Sequence, residues 1–165
     1  ATTNRVLATV MFTDIVQSTK RAADLGDERW LDLLAEHDRI VRSQLERFQG
    51  REVAMTGDGC VATFDGPARA IACATSIREI LSSIGLEARA GIHTGEIEIR
   101  NDEVKGLSLH IASRIMDQAE DGGIVVSSTV KDLAVGSNIA FDPVGEYELK
   151  GVPGLWQLFS VRTAA

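Results

Sequence analysis

The segment from Val6 to Phe12, VLATVMF, carries apolar side chains at odd and even positions alike. A strand with one wet face alternates, so a strand that is apolar on both parities must be covered on both faces. This segment therefore demands a layer of structure on each side of a sheet, and the rest of the chain has to supply those layers. From Glu28 to Phe48, the residues Trp30, Leu33, Leu34, His37, Ile40, Val41, Leu45 and Phe48 recur every three or four positions. That period predicts an amphipathic helix, and Gly50 suits its end. Glu52 to Met55 and Val61 to Phe64 read as strands, and Thr56-Gly57-Asp58-Gly59 between them has the composition of a hairpin turn. Pro67 suits the first turn of a second helix with the stripe Ala70, Ile71, Ala74, Ile77, Leu81 and Ile84, which Gly85 ends.

Leu86 to Ile92 and Glu96 to Arg100 read as two further strands, Leu107 to Met116 as a third helix and Gly123 to Ser127 as a buried strand. A short helix over Ser128 to Leu133 and a β-hairpin through Ala140 to Val161 follow. The order predicts an α+β fold, with a ferredoxin-like split βαβ (palm-like) core, additional αβ units and a C-terminal β-hairpin. A chain of 165 residues fits one domain, residues 1–165, and its start at Ala1 without methionine is the pattern of a domain cut from a longer protein. The 17 Lys and Arg against 24 Asp and Glu give a net charge of −7, which argues against a nucleic-acid partner. No apolar run approaches the ~20 residues that span a bilayer, so no membrane insertion is expected of this domain. Cys60 and Cys73 lie in apolar segments without metal-ligand spacing and read as buried free thiols of a reducing, cytoplasmic compartment.

Two acidic residues stand out by position. Asp14 follows the doubly covered strand, where an unpaired carboxylate is costly to desolvate. Asp58 occupies the hairpin tip between Gly57 and Gly59. In a split βαβ the first strand and the hairpin are neighbours, so the two carboxylates are expected to meet at one sheet edge. Oxygen ligands beside a turn suit Mg²⁺, which keeps waters and takes its remaining ligands from substrate phosphates. A pair of such ions clamps the attacking and leaving oxygens of a phosphoryl transfer. Taken one at a time, the two residues read as a strand-end cap and a turn residue. Ile15-Val16-Gln17-Ser18-Thr19 leads into a helix start whose N–H groups suit a phosphate, although Ser18 and Thr19 serve equally as helix caps. His110 and Arg114 are four apart, share a helix face and lie at the edge of the Leu107, Ile111, Ile115 stripe. Lys150 follows Glu148-Leu149 and suits a triphosphate. His93 reads as a hydrogen-bonded strand residue and His37 as packing at the core edge.

Together, Phe12-Thr13-Asp14-Ile15 with Ser18-Thr19, Thr56-Gly57-Asp58-Gly59, Gly91-Ile92-His93-Thr94-Gly95-Glu96, His110-Ile111-Ala112-Ser113-Arg114 and Glu148-Leu149-Lys150-Gly151 resemble the class III nucleotidyl cyclase catalytic domain, mycobacterial types in particular. The likeness runs from Val6 to about Val161. It implies an adenylate cyclase, a phosphorus-oxygen lyase that turns ATP into 3′,5′-cyclic AMP and pyrophosphate, with GTP as a side substrate. It also implies a head-to-tail homodimer with composite sites. One protomer supplies Asp14, Ile15 and Asp58 for two divalent cations, Mg²⁺ or Mn²⁺, and the loop through Val16, Gln17, Ser18 and Thr19 for the phosphates. The other supplies the base-reading pair, the transition-state residues Arg114 and His110, and the phosphate lysine Lys150. The chain departs from the pattern at three places. Ala54 stands where an adenine-reading lysine is usual, Glu103 falls where its aspartate partner is usual, and His110 replaces the transition-state asparagine. These departures imply slow turnover and weak discrimination between ATP and GTP, or, as the alternative, a weak or inactive regulatory module that binds nucleotide or dimerises. A diguanylate cyclase expects Gly-Gly-Asp/Glu-Glu-Phe at the hairpin, which Thr56-Gly57-Asp58-Gly59-Cys60 does not provide.

Overall fold

A computed structural model describes residues 4–162 of the chain. Residues 1–3 and 163–165, which the single-domain expectation includes, lie outside the described residues. The elements run β1 (Asn4–Ile15), α1 (Ser18–Leu25), α2 (Asp27–Arg47), β2 (Arg51–Met55), β3 (Gly59–Phe64), α3 (Pro67–Ser83), β4 (Ala88–Arg100), β5 (Glu103–Lys105), α4 (Leu107–Met116), β6 (Ile124–Ser127), α5 (Ser128–Leu133), β7 (Phe141–Glu148) and β8 (Leu155–Val161). The sheet order is β2-β3-β1-β4-β6-β8-β7, with β5 on β4. β1 pairs antiparallel with both β3 and β4, the arrangement of the split βαβ core.

From Ala8 onward β1 is covered on both faces, as its double parity requires, whereas Val6 and Leu7 at its start stay exposed, against the expectation for Val6–Phe12. On one side α2 and α3 cover it through a large cluster that includes Met11, Val41, Ile77, Leu81 and Ile92. On the other side lies α4, with Val10, Ile97 and Ala112 packed together. The spacing of Gly91-Ile92-His93-Thr94-Gly95 now has a mechanical reason. A Cβ on Gly91 would stand 2.3 Å from the backbone nitrogen of Met116 and 2.5 Å from the carbonyl of Ala112. One on Gly95 would stand 2.4 Å from the Ser108 hydroxyl. The two glycines form a bare track on β4 along which α4 lies.

Three expectations are corrected. Leu86–Ile92 and Glu96–Arg100 are not two strands, because β4 runs unbroken along twelve residues of β1, from Asn4↔Ile99 to Ile15↔Ala88. A separate helix, α1, precedes the one expected from Glu28, and Gly26, with φ +84°, makes the break. His37 is fully buried instead of lying at the core edge, its Nδ1 2.8 Å from Asp38 Oδ1. His93 is held as expected, with Nδ1 2.8 Å from the Ser127 hydroxyl, and burial pushes its pKa down to about 4. Both cysteines are buried and free, and burial raises the thiol of Cys60 to about 11 and that of Cys73 to about 12. No described helix is long and apolar enough to cross a membrane.

Candidate active site

The ends of β1 and β3 bring the first two carboxylates together. Asp14 stands opposite Gly59 in the antiparallel ladder, and the Ile15 amide donates to the Asp58 carbonyl at 2.7 Å. The approach depends on Gly59, where a Cβ would stand 2.0 Å from the Thr13 carbonyl oxygen. Asp14, Ile15, Val16, Gln17, Ser18, Thr19 and Asp58 then line one cavity of about 370 Å³, joined by Arg89 and Asp121. All seven residues expected on the cation and phosphate side are therefore gathered. Two carboxylates face the cavity from neighbouring strand ends. The Ile15 side chain is apolar and buried, which leaves its carbonyl as its donor atom.

The capping role open to Ser18 is not the one observed. The N-cap of α1 is Gln17, in the left-handed region at φ 55°, and it makes no side-chain cap hydrogen bond. The Ser18 hydroxyl instead donates to Asp58 Oδ2 at 2.8 Å, fixing that carboxylate and leaving the amino end of α1 without a side-chain cap. Such an end favours an anion.

Asp14 is not the unpaired carboxylate its position suggested. Arg89 of β4 donates to it twice, from Nε at 2.9 Å and Nη2 at 3.2 Å. The hydrogen bonds to Asp14 hold the Arg89 guanidinium above its ordinary pKa against the pull of burial, and the charges of Asp14, Asp117 and Asp121 add to the effect. The sequence reading missed Arg89. Its signal was its place in the ladder, directly opposite Asp14, which is visible only once the register of β1 against β4 is known.

The remaining expected residues lie elsewhere. His110 Nε2 is 2.7 Å from the carbonyl of Lys150, so that nitrogen carries the proton and Nδ1 is left free. Gly151, with φ +80°, completes this contact, since a Cβ there would meet His110 Nε2 at 2.9 Å. Arg114, on the same helix, reaches Asp117 Oδ2 at 3.2 Å, and its buried Nε has no hydrogen-bond partner. A bulge in β2 leaves Val53 without a partner between Glu52 and Ala54, and Val53 and Ala54 both pack on the α4 side beside Val104 and Leu109. Glu103 is exposed on β5, 3.2 Å from the Lys105 ammonium. None of His110, Arg114, Lys150, Ala54 or Glu103 lines the cavity of Asp14 and Asp58.

The sequence of residues 3–162 matches the family model for the adenylate and guanylate cyclase catalytic domain. The chain belongs to that family. Its fold is that of the adenylyl cyclase CyaB from P. aeruginosa, with a TM-score of 0.92 at 22% identity, covering 100% of this chain and 98% of the other. It is also that of the catalytic core of a rhodopsin-guanylyl cyclase with converted specificity in complex with ATPαS, with a TM-score of 0.89 at 20% identity and 98% of each chain covered. An uncharacterised protein of Mycobacterium bovis is 27% identical over 150 residues, 88% of this chain and 52% of that protein. The cyclase domain spans about half, or less, of the length of the curated relatives it first matches. Among its described residues, no three or more His, Cys, Asp or Glu side chains gather at one point. Asp14, Asp58 and Asp121 put three carboxylates on the lining of the cavity.

Proposed function

We propose that this cyclase domain converts ATP to 3′,5′-cyclic AMP and pyrophosphate in composite sites shared by two protomers of a homodimer, slowly and with relaxed choice between ATP and GTP. The observation that carries the reading is the convergence of Asp14 and Asp58 with the uncapped amino end of α1 in one cavity. Asp14, Asp58 and the Ile15 carbonyl offer an oxygen-only donor set that fits two divalent cations, Mg²⁺ or Mn²⁺. When bound, such ions supply charge balance for the triphosphate and acidify the ribose 3′-hydroxyl.

The protein's own groups carry the rest. The backbone N–H groups from Gln17 to Thr19 hold phosphate oxygens at the positive end of α1. The ribose 3′-oxygen attacks the α-phosphorus and loses its proton to solvent. The bond from that phosphorus to the bridging oxygen breaks, and pyrophosphate leaves. Arg114 presents a planar fork to the charge on the phosphorus oxygens, a geometry an ammonium lacks. His110, its Nε2 proton committed to the Lys150 carbonyl, is held in one orientation beside it. The Lys150 side chain, exposed next to that carbonyl, is free to pair with the triphosphate. Because these three residues stand outside the Asp14–Asp58 cavity of their own protomer, a second protomer is the natural source of them.

Purine choice rests on Ala54 and Glu103. A site that reads a base by hydrogen bonds discriminates through those groups, and Ala54 offers none. Ala54→Lys is expected to raise ATP turnover about tenfold, the ~1.4 kcal/mol of one added hydrogen bond to a charged group. Unchanged turnover in a folded dimer rejects the assignment of position 54 to base reading. Ala54 also favours a second reading, a regulatory domain that binds nucleotide or dimerises without turnover. Incubating the purified domain with ATP and Mn²⁺ over a dilution series separates the two. Cyclic AMP formed at a rate that falls faster than linearly with protein concentration is expected. Absence of product at concentrations where sizing gives a dimer selects the regulatory reading, and linear activity from monomer defeats the shared site.

A further inference from the structure

Asp117 closes α4 in helical conformation, φ −60° and ψ −21°, at the end where the helix dipole disfavours a carboxylate. Two guanidiniums offset that cost, one on each carboxylate oxygen. Arg114 Nη1 lies 3.2 Å from Oδ2, and Arg89 Nη2 lies 3.8 Å from Oδ1. The Arg114 contact alone is an ordinary i,i+3 helix pair. What distinguishes Asp117 is the second partner, which comes from a different element and is already engaged. The same Arg89 Nη2 lies 3.2 Å from Asp14 Oδ2. The four side chains form a row, Asp14, Arg89, Asp117, Arg114. It starts at a carboxylate proposed to hold cations and ends at the arginine proposed to meet the reacting phosphorus. Arg114 at the far end is held only in part, since its buried Nε has no hydrogen-bond partner.

We propose that Asp117 is a positioning residue that couples charge at Asp14 to the placement of Arg114. Arg89 divides its attraction between two carboxylates. When a cation takes Asp14, Arg89 loses that partner, is repelled by the new positive charge and shifts its pairing toward Asp117. Asp117, more fully neutralised by Arg89, holds Arg114 less, and the guanidinium becomes free for a phosphate. The inference rests on the reading of Asp14 as a cation ligand. In a composite dimer it has a further consequence. Asp14 serves one site while Arg114 of the same protomer serves the other, so loading one site readies its neighbour.

The test is Mn²⁺ binding to the nucleotide-free domain, read from the electron paramagnetic resonance signal of free Mn²⁺, with thermal unfolding as the check on folding. Asp117→Asn leaves Asp14 as the one ion-pair partner of Arg89, with Asp121 acting on it from further off, and is expected to weaken Mn²⁺ binding about threefold, on the scale of a partly exposed ion pair. Arg114→Gln leaves Asp117 wholly to Arg89, releases Asp14 and is expected to tighten binding by a similar factor. Charge acting directly through space predicts the same two signs, so the double variant decides. The relay requires that Arg114→Gln change nothing once Asp117 is Asn. Additive effects in the double variant overturn it, as do equal affinities in all four proteins. Should the Asn variant fail to fold, Asp117→Ser removes the same charge and carries the same expectation. Asp14→Asn separates this failure from that of the underlying reading. Mn²⁺ binding indifferent to Asp14 removes the cation site, and the relay with it.

Discussion

Asp14→Asn is expected to lower cyclic nucleotide formation by about three orders of magnitude or more, roughly 4 kcal/mol of barrier, while leaving the fold in place. The two effects separate because the substitution keeps what Asp14 does for the structure and removes what it is proposed to do for the reaction. An asparagine side chain has the same volume at the end of β1, and its carbonyl oxygen still accepts a hydrogen bond from Arg89. Arg89 keeps a second ion-pair partner in Asp117, 3.8 Å away. The loss is a charge-assisted pair at a position about three-quarters shielded from solvent, worth on the order of 1 kcal/mol. For a domain of this size that is a fall of about 2–4 °C in Tm. Product formation from ATP with Mn²⁺, measured beside a thermal melt, checks both halves. Retained activity in the Asn variant sinks the assignment of Asp14 to the cations. A collapsed melt means instead that the Asp14–Arg89 pair is a keystone of the sheet.

Why Asp14 and Asp58 were legible from the sequence, and Arg89 was not, comes down to range. The doubly apolar strand, the helix periods and the glycine-flanked turn are local signals, and together they fix a split βαβ order. That order alone places the first strand beside the hairpin, so two distant carboxylates converge without any contact having to be known. Arg89 and Asp117 belong to another kind of information. Arg89 meets Asp14 because β4 pairs with β1 over twelve positions in one register, and a slip of one residue would turn its side chain to the other face. The reading of β4 as two strands hid that register. His110 and Lys150 came forward as separate residues, yet their contact runs through a backbone carbonyl and a glycine with positive φ, neither of which leaves a trace in hydrophobic periodicity. Ser18 fits the same pattern. Its hydroxyl was equally suited to a helix cap, and only the closeness of Asp58 across the hairpin decides against that role.

Gly59→Ala carries the second large expected effect, and it tests the link from backbone to site directly. The Cβ it introduces would stand 2.0 Å from the Thr13 carbonyl oxygen and 2.9 Å from the Asp14 Cα. Both are backbone atoms at the end of the β1–β3 ladder, so no side-chain rotation relieves the clash, and β3 must draw away from β1 at its first residue. Overpacking of a well-packed position costs about 1–3 kcal/mol, and loss of the Ile15 to Asp58 backbone hydrogen bond adds about 1 kcal/mol. The site suffers more than the fold. Asp58 is carried by the displaced turn, whereas Asp14 remains on β1, so the carboxylates separate while each keeps its chemistry. The expected outcome is a domain that still melts cooperatively, some 5–10 °C lower, with Mn²⁺ affinity and cyclic AMP formation both reduced about a hundredfold, the scale on which an ångström of misplacement acts in a reacting site. Gly57→Ala is the internal comparison. Its φ of +92° makes an alanine strained, but a Cβ there meets nothing within 4 Å, so it is expected to cost ~1 kcal/mol of stability and little activity. Equal losses in the two variants mean that the hairpin acts only through stability. Loss of activity confined to Gly59→Ala means that the spacing between Asp14 and Asp58, set by one missing methyl group, is what the reaction depends on.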